Sequence, residues 1–152
     1  MKGMEFKTVI QTPRGSVFQY KTKSGNVKAK LEWNPNFGAE KTQQFSRVQK
    51  YVDSEVLRLS DPYIPMQSGA LKLSGSLATD IGSGEVCWNT PYARYQYYGK
   101  LMIGNAPKTL TNIDLQYHGG GKRKEKWFER MKIDHKKDII AGAAKIAGGR
   151  KS

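Results

Sequence analysis

Cysteine is almost missing from this chain: Cys87 is the only one among 152 residues. A lone cysteine makes no internal disulfide and builds no zinc site by itself. Histidine is nearly as scarce, with only His118 and His135, which leaves little material for histidine-based acid–base chemistry. Acidic side chains number 13 against 26 basic ones, a net charge of +13. Long apolar runs are lacking too. Nothing approaches the ~20 consecutive apolar residues of a bilayer-spanning helix, so no membrane partner is expected. Met1–Ile10 carries Lys2 and Lys7 but no apolar run and no small-residue cleavage site, so no signal peptide is expected there. These shortages together suit a reducing cytoplasm, or a particle assembled in the cytoplasm of a host.

Motifs of catalysis are equally thin. Gly82-Ser83-Gly84 and Gly119-Gly120-Gly121 neither lead from a strand into a helix nor carry the Lys-Ser/Thr of a phosphate loop, so both read as turns. Asp53 and Glu55, two positions apart, cannot share one helix face as an acid–base pair. A Cys87–His118 nucleophile pair is conceivable. Against it, Cys87 sits between Val86 and Trp88 in an expected strand, where a buried structural thiol is the favoured reading. His135 falls on an apolar stripe and reads as a packed histidine. Neither an enzyme nor a cofactor or metal is expected.

Hydrophobic residues make up 38% and charged residues 26% of the chain, which excludes a disordered or membrane class. A chain of this length fits one domain, 1–152, and buries roughly 70% of its extended surface on folding. The charge is uneven. Residues 1–33 carry seven basic and two acidic side chains, residues 34–99 six of each, and residues 100–152 thirteen and five. The neutral middle is therefore expected to hold the core, and the basic ends to face polyanions or acidic partners.

Glu5–Gln11, Ser16–Thr22 and Val27–Trp33 read as strands, rich in Val, Ile, Phe, Tyr and Thr and separated by glycine-containing turns. Val27, Ala29, Leu31 and Trp33 alternate with Lys28, Lys30 and Glu32, which places one face on a core. From Ala39 to Leu59, the apolar residues Phe45, Val48, Val52, Val56 and Leu59 follow helical spacing, and Asp61-Pro62 ends the helix. Ser68–Ala78 reads as a brief helix or turn. Thr79–Ile81 and Glu85–Asn89 read as strands joined across Gly82–Gly84, and Pro91–Gly99 as a short helix. Lys100–Gly121 is poorly patterned, so 100–123 is expected as a flexible loop. Lys124–Ala147 carries a stripe of Trp127, Phe128, Met131, His135, Ile139, Ile140, Ala143 and Ile146, and residues 148–152 form a basic tail.

The informative stretch is Pro62–Gly99. In Pro65-Met66-Gln67-Ser68-Gly69-Ala70-Leu71-Lys72-Leu73-Ser74, Ser68 suits a helix cap and Gly69 a turn with positive φ, while Leu71 and Leu73 are expected to enter the core. Pro91-Tyr92-Ala93-Arg94-Tyr95-Gln96-Tyr97-Tyr98-Gly99 holds four tyrosines in seven positions. Tyrosines joining an apolar body to a polar tip are frequent at subunit interfaces, and they also roof cores, so a mixture is expected.

The order of these two motifs, after a long helix and before a helix led by Trp127-Phe128, resembles the minor capsid and tail-completion (head–tail connector) proteins of tailed phages that infect Gram-positive bacteria. Those proteins share Pro-x-x-(Ser/Thr)-Gly-x-Leu-x-x-Ser, here Pro65, Ser68, Gly69, Leu71 and Ser74, and close on Pro-Tyr-Ala-x-Tyr-x-x-(Tyr/Phe)-Gly, here Pro91, Ala93 and Gly99 among others. The resemblance covers residues 39–99 and 124–148, and leaves 1–33 as an added β-hairpin or arm. It implies an α+β domain in which a mostly antiparallel sheet packs against the long helix, with a C-terminal helix beside it. It further implies a structural virion protein, one of six copies in a ring at the phage neck. Its partners would be an adaptor or stopper protein above, a tail tube or terminator below, and genomic DNA passing through without sequence recognition.

Expected contact residues for the next subunit or partner are Tyr92, Arg94, Tyr95, Tyr97 and Tyr98, followed by Lys100, Leu101 and Met102. Lys122, Arg123, Lys124 and Lys126 are candidate contacts to DNA in the channel. The competing reading is a sequence-nonspecific nucleic-acid-binding module, in which the tyrosines stack on bases and the lysines meet phosphates.

Overall fold

A computed structural model describes residues 9–148 of the chain. Its elements, in order, are β1 (Ser16–Thr22), β2 (Gly25–Leu31), α1 (Phe37–Ser60), a 3-10 turn (Asp61–Tyr63), α2 (Ala70–Ala78), α3 (Ala93–Tyr98), β3 (Lys100–Ile103), β4 (Thr109–Asp114) and α4 (Trp127–Ile146). The fold is α+β, with a long helix, a C-terminal helix and antiparallel strands.

The strands are distributed differently from the single sheet expected. They form two separate ribbons, β1–β2 and β3–β4, and α1 finds its main partner in α4 rather than in a sheet. The reason lies in α4. Its residues Trp127 and Met131 are almost fully buried and cover the apolar side of α1 and the turn that follows it. The two helices run antiparallel: Gln44 Nε2 donates to the Ala147 carbonyl at one end (2.7 Å), and Tyr63 meets Asp134 at the other. Gly142 lies where α4 crosses Tyr51, and a Cβ there would overlap the tyrosine ring.

The core centres on Tyr63, Ile64, Leu71, Ala93, Trp127 and Met131, with Val56, Leu59, Trp88, Tyr92, Tyr97 and Phe128 packed around it. Trp127 is its hub. Tyr97 and Trp88 meet it edge-on, with ring centroids 4.7 and 5.9 Å away. Such edge-to-face pairs satisfy the ring quadrupoles while burying large apolar areas.

Other sequence expectations are corrected locally. Thr79–Ile81 and Glu85–Asn89 are not strands. The intervening glycines instead turn their amides onto Asp53, a buried carboxylate on α1: Gly82 N–H donates to Oδ2 at 2.8 Å and Gly84 N–H at 3.1 Å. With its backbone donors drawn toward a helix, the segment does not close a ladder. Cys87 is exposed, not buried. Leu73 is 58% exposed, because α2 turns only Leu71, Ser74 and Gly75 inward.

The stretch expected as a loop from residue 100 contains the β3–β4 hairpin, in which Met102 faces Leu110 and Ile103 faces Thr109. α4 starts at Trp127 rather than Lys124, because Lys126 takes a left-handed conformation (φ 51°) that ends the preceding segment. Of the expected strand Glu5–Gln11, residues up to Thr8 lie outside the described ones, and Val9–Gln11 are irregular. The basic tail beyond Gly148 also lies outside them.

Candidate assembly interface

Chain segments far apart in sequence are laced together around the core. The stretch 115–126 runs between the turn after α1 and the end of α3. Leu115 N–H donates to the Gly99 carbonyl (3.0 Å), Lys124 N–H to Tyr63 (3.2 Å) and Lys126 N–H to Tyr97 (2.9 Å). Met66 N–H donates to the His118 carbonyl at 3.2 Å. Gly99 is required twice over at this crossing. It adopts φ 76° to end α3, and a side chain there would press on Tyr117 and Glu125.

On this frame the motif residues sort themselves by role. Pro65, Leu71, Ser74 and Ala93 are buried, and the Ser74 hydroxyl donates to the Leu71 carbonyl (2.7 Å). Gly69 has the expected positive φ, 78°, at the start of α2. Ser68 contributes only a long 3.4 Å contact from the Ala70 amide. Pro91 is exposed at the entry to α3, where the Ala93 amide donates to the Thr90 carbonyl (3.0 Å). The first motif and α3 together wall a cleft of about 350 Å³ whose far side is Tyr117 and His118.

The tyrosines divide between core and surface. Tyr92 and Tyr97 pack on the core, and burial pushes the Tyr97 phenol above its ordinary range. Tyr95 and Tyr98 turn outward, Tyr98 being 54% exposed. Together with Arg94, Lys100, Met102 and Leu110 they line an open, largely apolar notch of about 400 Å³ between α3 and the β3–β4 hairpin. Ile103, whose strand position faces the other side of the hairpin from Met102 and Leu110, is exposed, as is Ile113. The structure thus brings together Arg94, Tyr95, Tyr98, Lys100 and Met102 among the expected contact residues, and leaves Leu101 half-buried behind them with its carbonyl bonded to Thr111. Leu110 was missed from sequence. Leu110 and Ile113 stand three positions apart in Thr109–Asp114, so no period-two pattern marks the strand in the sequence.

Three of the four candidate DNA contacts already have partners within the chain. The Arg123 guanidinium turns inward and donates to the carbonyls of Asp61 (2.8 Å) and Ile64 (2.7 Å), so it is a structural clamp rather than a free cation. Lys126 stands over the rings of Tyr98 and Tyr97, 4.3 and 5.0 Å from their centroids. Lys122 bonds to Asp134 (3.0 Å) and to the Tyr63 hydroxyl (3.1 Å). Lys124 is exposed.

The Lys122 contacts belong to a polar knot that sequence reasoning did not find. The Tyr63 hydroxyl donates to Asp134 (2.5 Å) and also meets His135 Nε2 at 3.2 Å. The bonds from Tyr63 and Lys122 hold the Asp134 carboxyl below its usual range, and the bonds to Asp134 and Tyr63 raise the Lys122 ammonium above its own. The knot fastens α4 to the end of α1. Its members come from three separate elements, so no local spacing announces it.

Among the described residues, no group of three His, Cys, Asp or Glu side chains is placed to hold a metal ion, and no helix is long and apolar enough to cross a membrane. What the geometry does offer is a tightly laced core carrying open, apolar, tyrosine-edged surfaces, which is the character of a protein built to bind other proteins. Residues 20–145 match the family described as "Minor capsid protein", and the chain belongs to this family of phage structural proteins. No curated protein and no solved structure matches the chain. It is therefore a virion component of bacteriophage type.

Proposed function

We propose that this minor capsid protein is a head–tail connector, a tail-completion or stopper–tail interface protein that forms a ring at the phage neck. The observation that carries the reading is the notch between α3 and the β3–β4 hairpin. Residues marked by the closing tyrosine motif converge there with Met102 and Leu110 on one solvent-open apolar surface. Large aromatic side chains with polar tips, set in a concave apolar patch, are the usual anchors of a protein–protein contact. A neck ring meets different neighbours above and below, which suits a subunit with more than one such surface.

The test is particle morphology and position. A Tyr98→Ala/Met102→Ser variant keeps the core residues untouched, so the protein remains folded, and particles made with it are expected to accumulate as DNA-filled heads without tails. Electron microscopy of particles carrying a tagged copy is expected to place the tag at the head–tail junction, in a ring of six. A tag spread over the shell facets, or normal tailed particles from the variant, refutes the connector role while leaving the family membership intact.

The nucleic-acid-binding alternative draws less support from the side chains. Tyr92 and Tyr97 are occupied by the core, and Lys122, Arg123 and Lys126 by partners within the chain.

A further inference from the structure

A cluster of exposed cations is gathered on the β1–β2 hairpin. Residues 9–31 hold Arg14, Lys21, Lys23, Lys28 and Lys30 and no acidic side chain, and every residue of both strands is exposed. The register sorts these cations by face. Val17 stands opposite Lys30, Gln19 opposite Lys28 and Lys21 opposite Asn26. Directly opposed residues share a face of the ribbon, so Lys21, Lys28 and Lys30 project from one side together with the amides of Gln19 and Asn26. Phe18, Tyr20, Val27, Ala29 and Leu31 occupy the other side.

The tip is both fixed and unpaired. Lys23 lies in the turn, where the Thr22 hydroxyl donates to the Gly25 carbonyl (2.7 Å). At the base, Ile10 N–H donates to Thr42 Oγ1 and Gly38 N–H to Thr12 Oγ1, both at 2.9 Å, which roots the ribbon at the start of α1. Lys30 is paired with Glu32, whereas Lys21, Lys23 and Lys28 form no salt bridge with another described residue.

The make-up of that face selects its ligand. Contacts between proteins centre on aromatic or large apolar anchors and are poor in lysine. The lysine face has Val17 near its base and no aromatic residue, since Phe18 and Tyr20 point the opposite way. Single-stranded nucleic acid is held by bases stacked on rings beside the cations, and here the rings and the lysines are on opposite faces. Lysines and amides without rings suit a regular array of anions met without reading bases, the phosphate backbone of a duplex. The size agrees, because the major groove of B-DNA admits a two-stranded ribbon.

We infer that the tip of the β1–β2 arm, through Lys21, Lys23 and Lys28, is a sequence-blind contact to the phosphate backbone of double-stranded DNA. The genome as ligand rests on the connector reading above, in which DNA passes the ring; binding by the arm is measurable on the protein alone. The site is distinct from the basic run 122–126, where Lys122, Arg123 and Lys126 already have partners within the chain. Three point charges make a weak, salt-sensitive contact, along which DNA can slide.

Fluorescence anisotropy of the full-length protein with a labelled duplex of about 30 base pairs, at rising salt, is the test. Wild type is expected to bind at low salt with a Kd of about 10⁻⁶–10⁻⁴ M and to treat two unrelated sequences alike. Each phosphate contact contributes about 0.9 to the slope of log K on log salt, so Lys21→Ala/Lys23→Ala/Lys28→Ala should flatten it by about 2–3. Lys21→Arg/Lys23→Arg/Lys28→Arg should keep the slope. Lys136→Ala/Lys137→Ala/Lys145→Ala removes the same charge from exposed positions on α4 and should leave it unchanged. Equal flattening by both alanine triples, or no binding by wild type at low salt, overturns the arm site. Tighter binding of a single strand that is lost in Phe18→Ala/Tyr20→Ala overturns it too, in favour of stacking.

In particles, Ser24→Cys/Cys87→Ser leaves one thiol, in the hairpin turn, and a photo-activated aryl azide on it is expected to cross-link to the genome. Cross-links to virion proteins alone would point to an acidic protein surface and reject DNA as the ligand, leaving the connector role intact if the tag sits at the neck. Duplex binding that depends on the arm, in a protein whose tag lies elsewhere, would sink the connector role and keep the arm site.

Discussion

Replacing Asp53 tests the logic of the fold at one atom pair. Its carboxylate is 2% exposed and accepts from Gly82 N–H, Gly84 N–H and Gln49 Nε2, at 2.8, 3.1 and 2.8 Å. These bonds hold the loop that swings Trp88 onto Gly75, where a Cβ would meet the indole within 3 Å. A hydrogen bond to a charged acceptor contributes about 1.5–3 kcal/mol, and part of the loss is recovered by water because Gly84 lies at the surface. Asp53→Ala is therefore expected to cost about 2–4 kcal/mol, a fall in Tm of roughly 5–15 °C for a chain of this size. Asp53→Asn keeps one oxygen for both glycine amides and is expected to cost about 1 kcal/mol. Urea unfolding of the three proteins measures the differences, and hydrogen exchange should show the Gly82 and Gly84 amides losing protection first. A loss below about 0.5 kcal/mol for Asp53→Ala, or equal losses for Ala and Asn, would refute the claim that the carboxylate organises this loop.

Three further outcomes follow from the same reasoning. Gly142→Ala, which in an open helix would stabilise by up to about 1 kcal/mol, is expected to destabilise by about 1–3 kcal/mol because the new methyl meets Tyr51; thermal melts decide the sign. Arg123→Ala leaves the Asp61 and Ile64 carbonyls without their shared donor and should cost about 2–3 kcal/mol in urea, with Arg123→Lys recovering only part because an ammonium lacks the planar fork. Tyr117, whose hydroxyl donates to the Gln96 carbonyl at 2.9 Å, is pushed up to about 12, first by burial and then by Glu125 and Asp114. The folded chain holds that proton more tightly than the unfolded one. Its contribution is thus complete below pH ~10 and is lost as the pH rises through about 12; the difference in urea midpoint between wild type and Tyr117→Phe should shrink over that window.

Periodicity alone placed α1 and α4 close to their true ends, because a helix writes its buried stripe locally, every three or four residues, and Asp61-Pro62 marks where it must stop. The turn glycine at 69 was legible for a similar reason: its conformation depends on a few neighbouring atoms. The β1–β2 hairpin was legible through its alternation and its turn, but not the fact that its apolar face is left uncovered. The residues 79–89 misled because β-branched and aromatic side chains look like strand wherever they occur. Only the arrival of Asp53 from a distant helix decided that the glycine amides would bond to a carboxylate rather than to a partner strand.

The same division holds for the surfaces. Which residues are aromatic, basic or acidic, and hence what kind of partner they suit, is written in the chain. Whether a given side chain is free to meet that partner is not. Arg123 and Lys126 sit in one basic run with Lys124, yet one is spent on two carbonyls and the other lies over two tyrosine rings. Availability depends on groups many residues away, since a cation is held wherever the folded chain brings an acceptor or a ring face within reach. No local pattern carries that information.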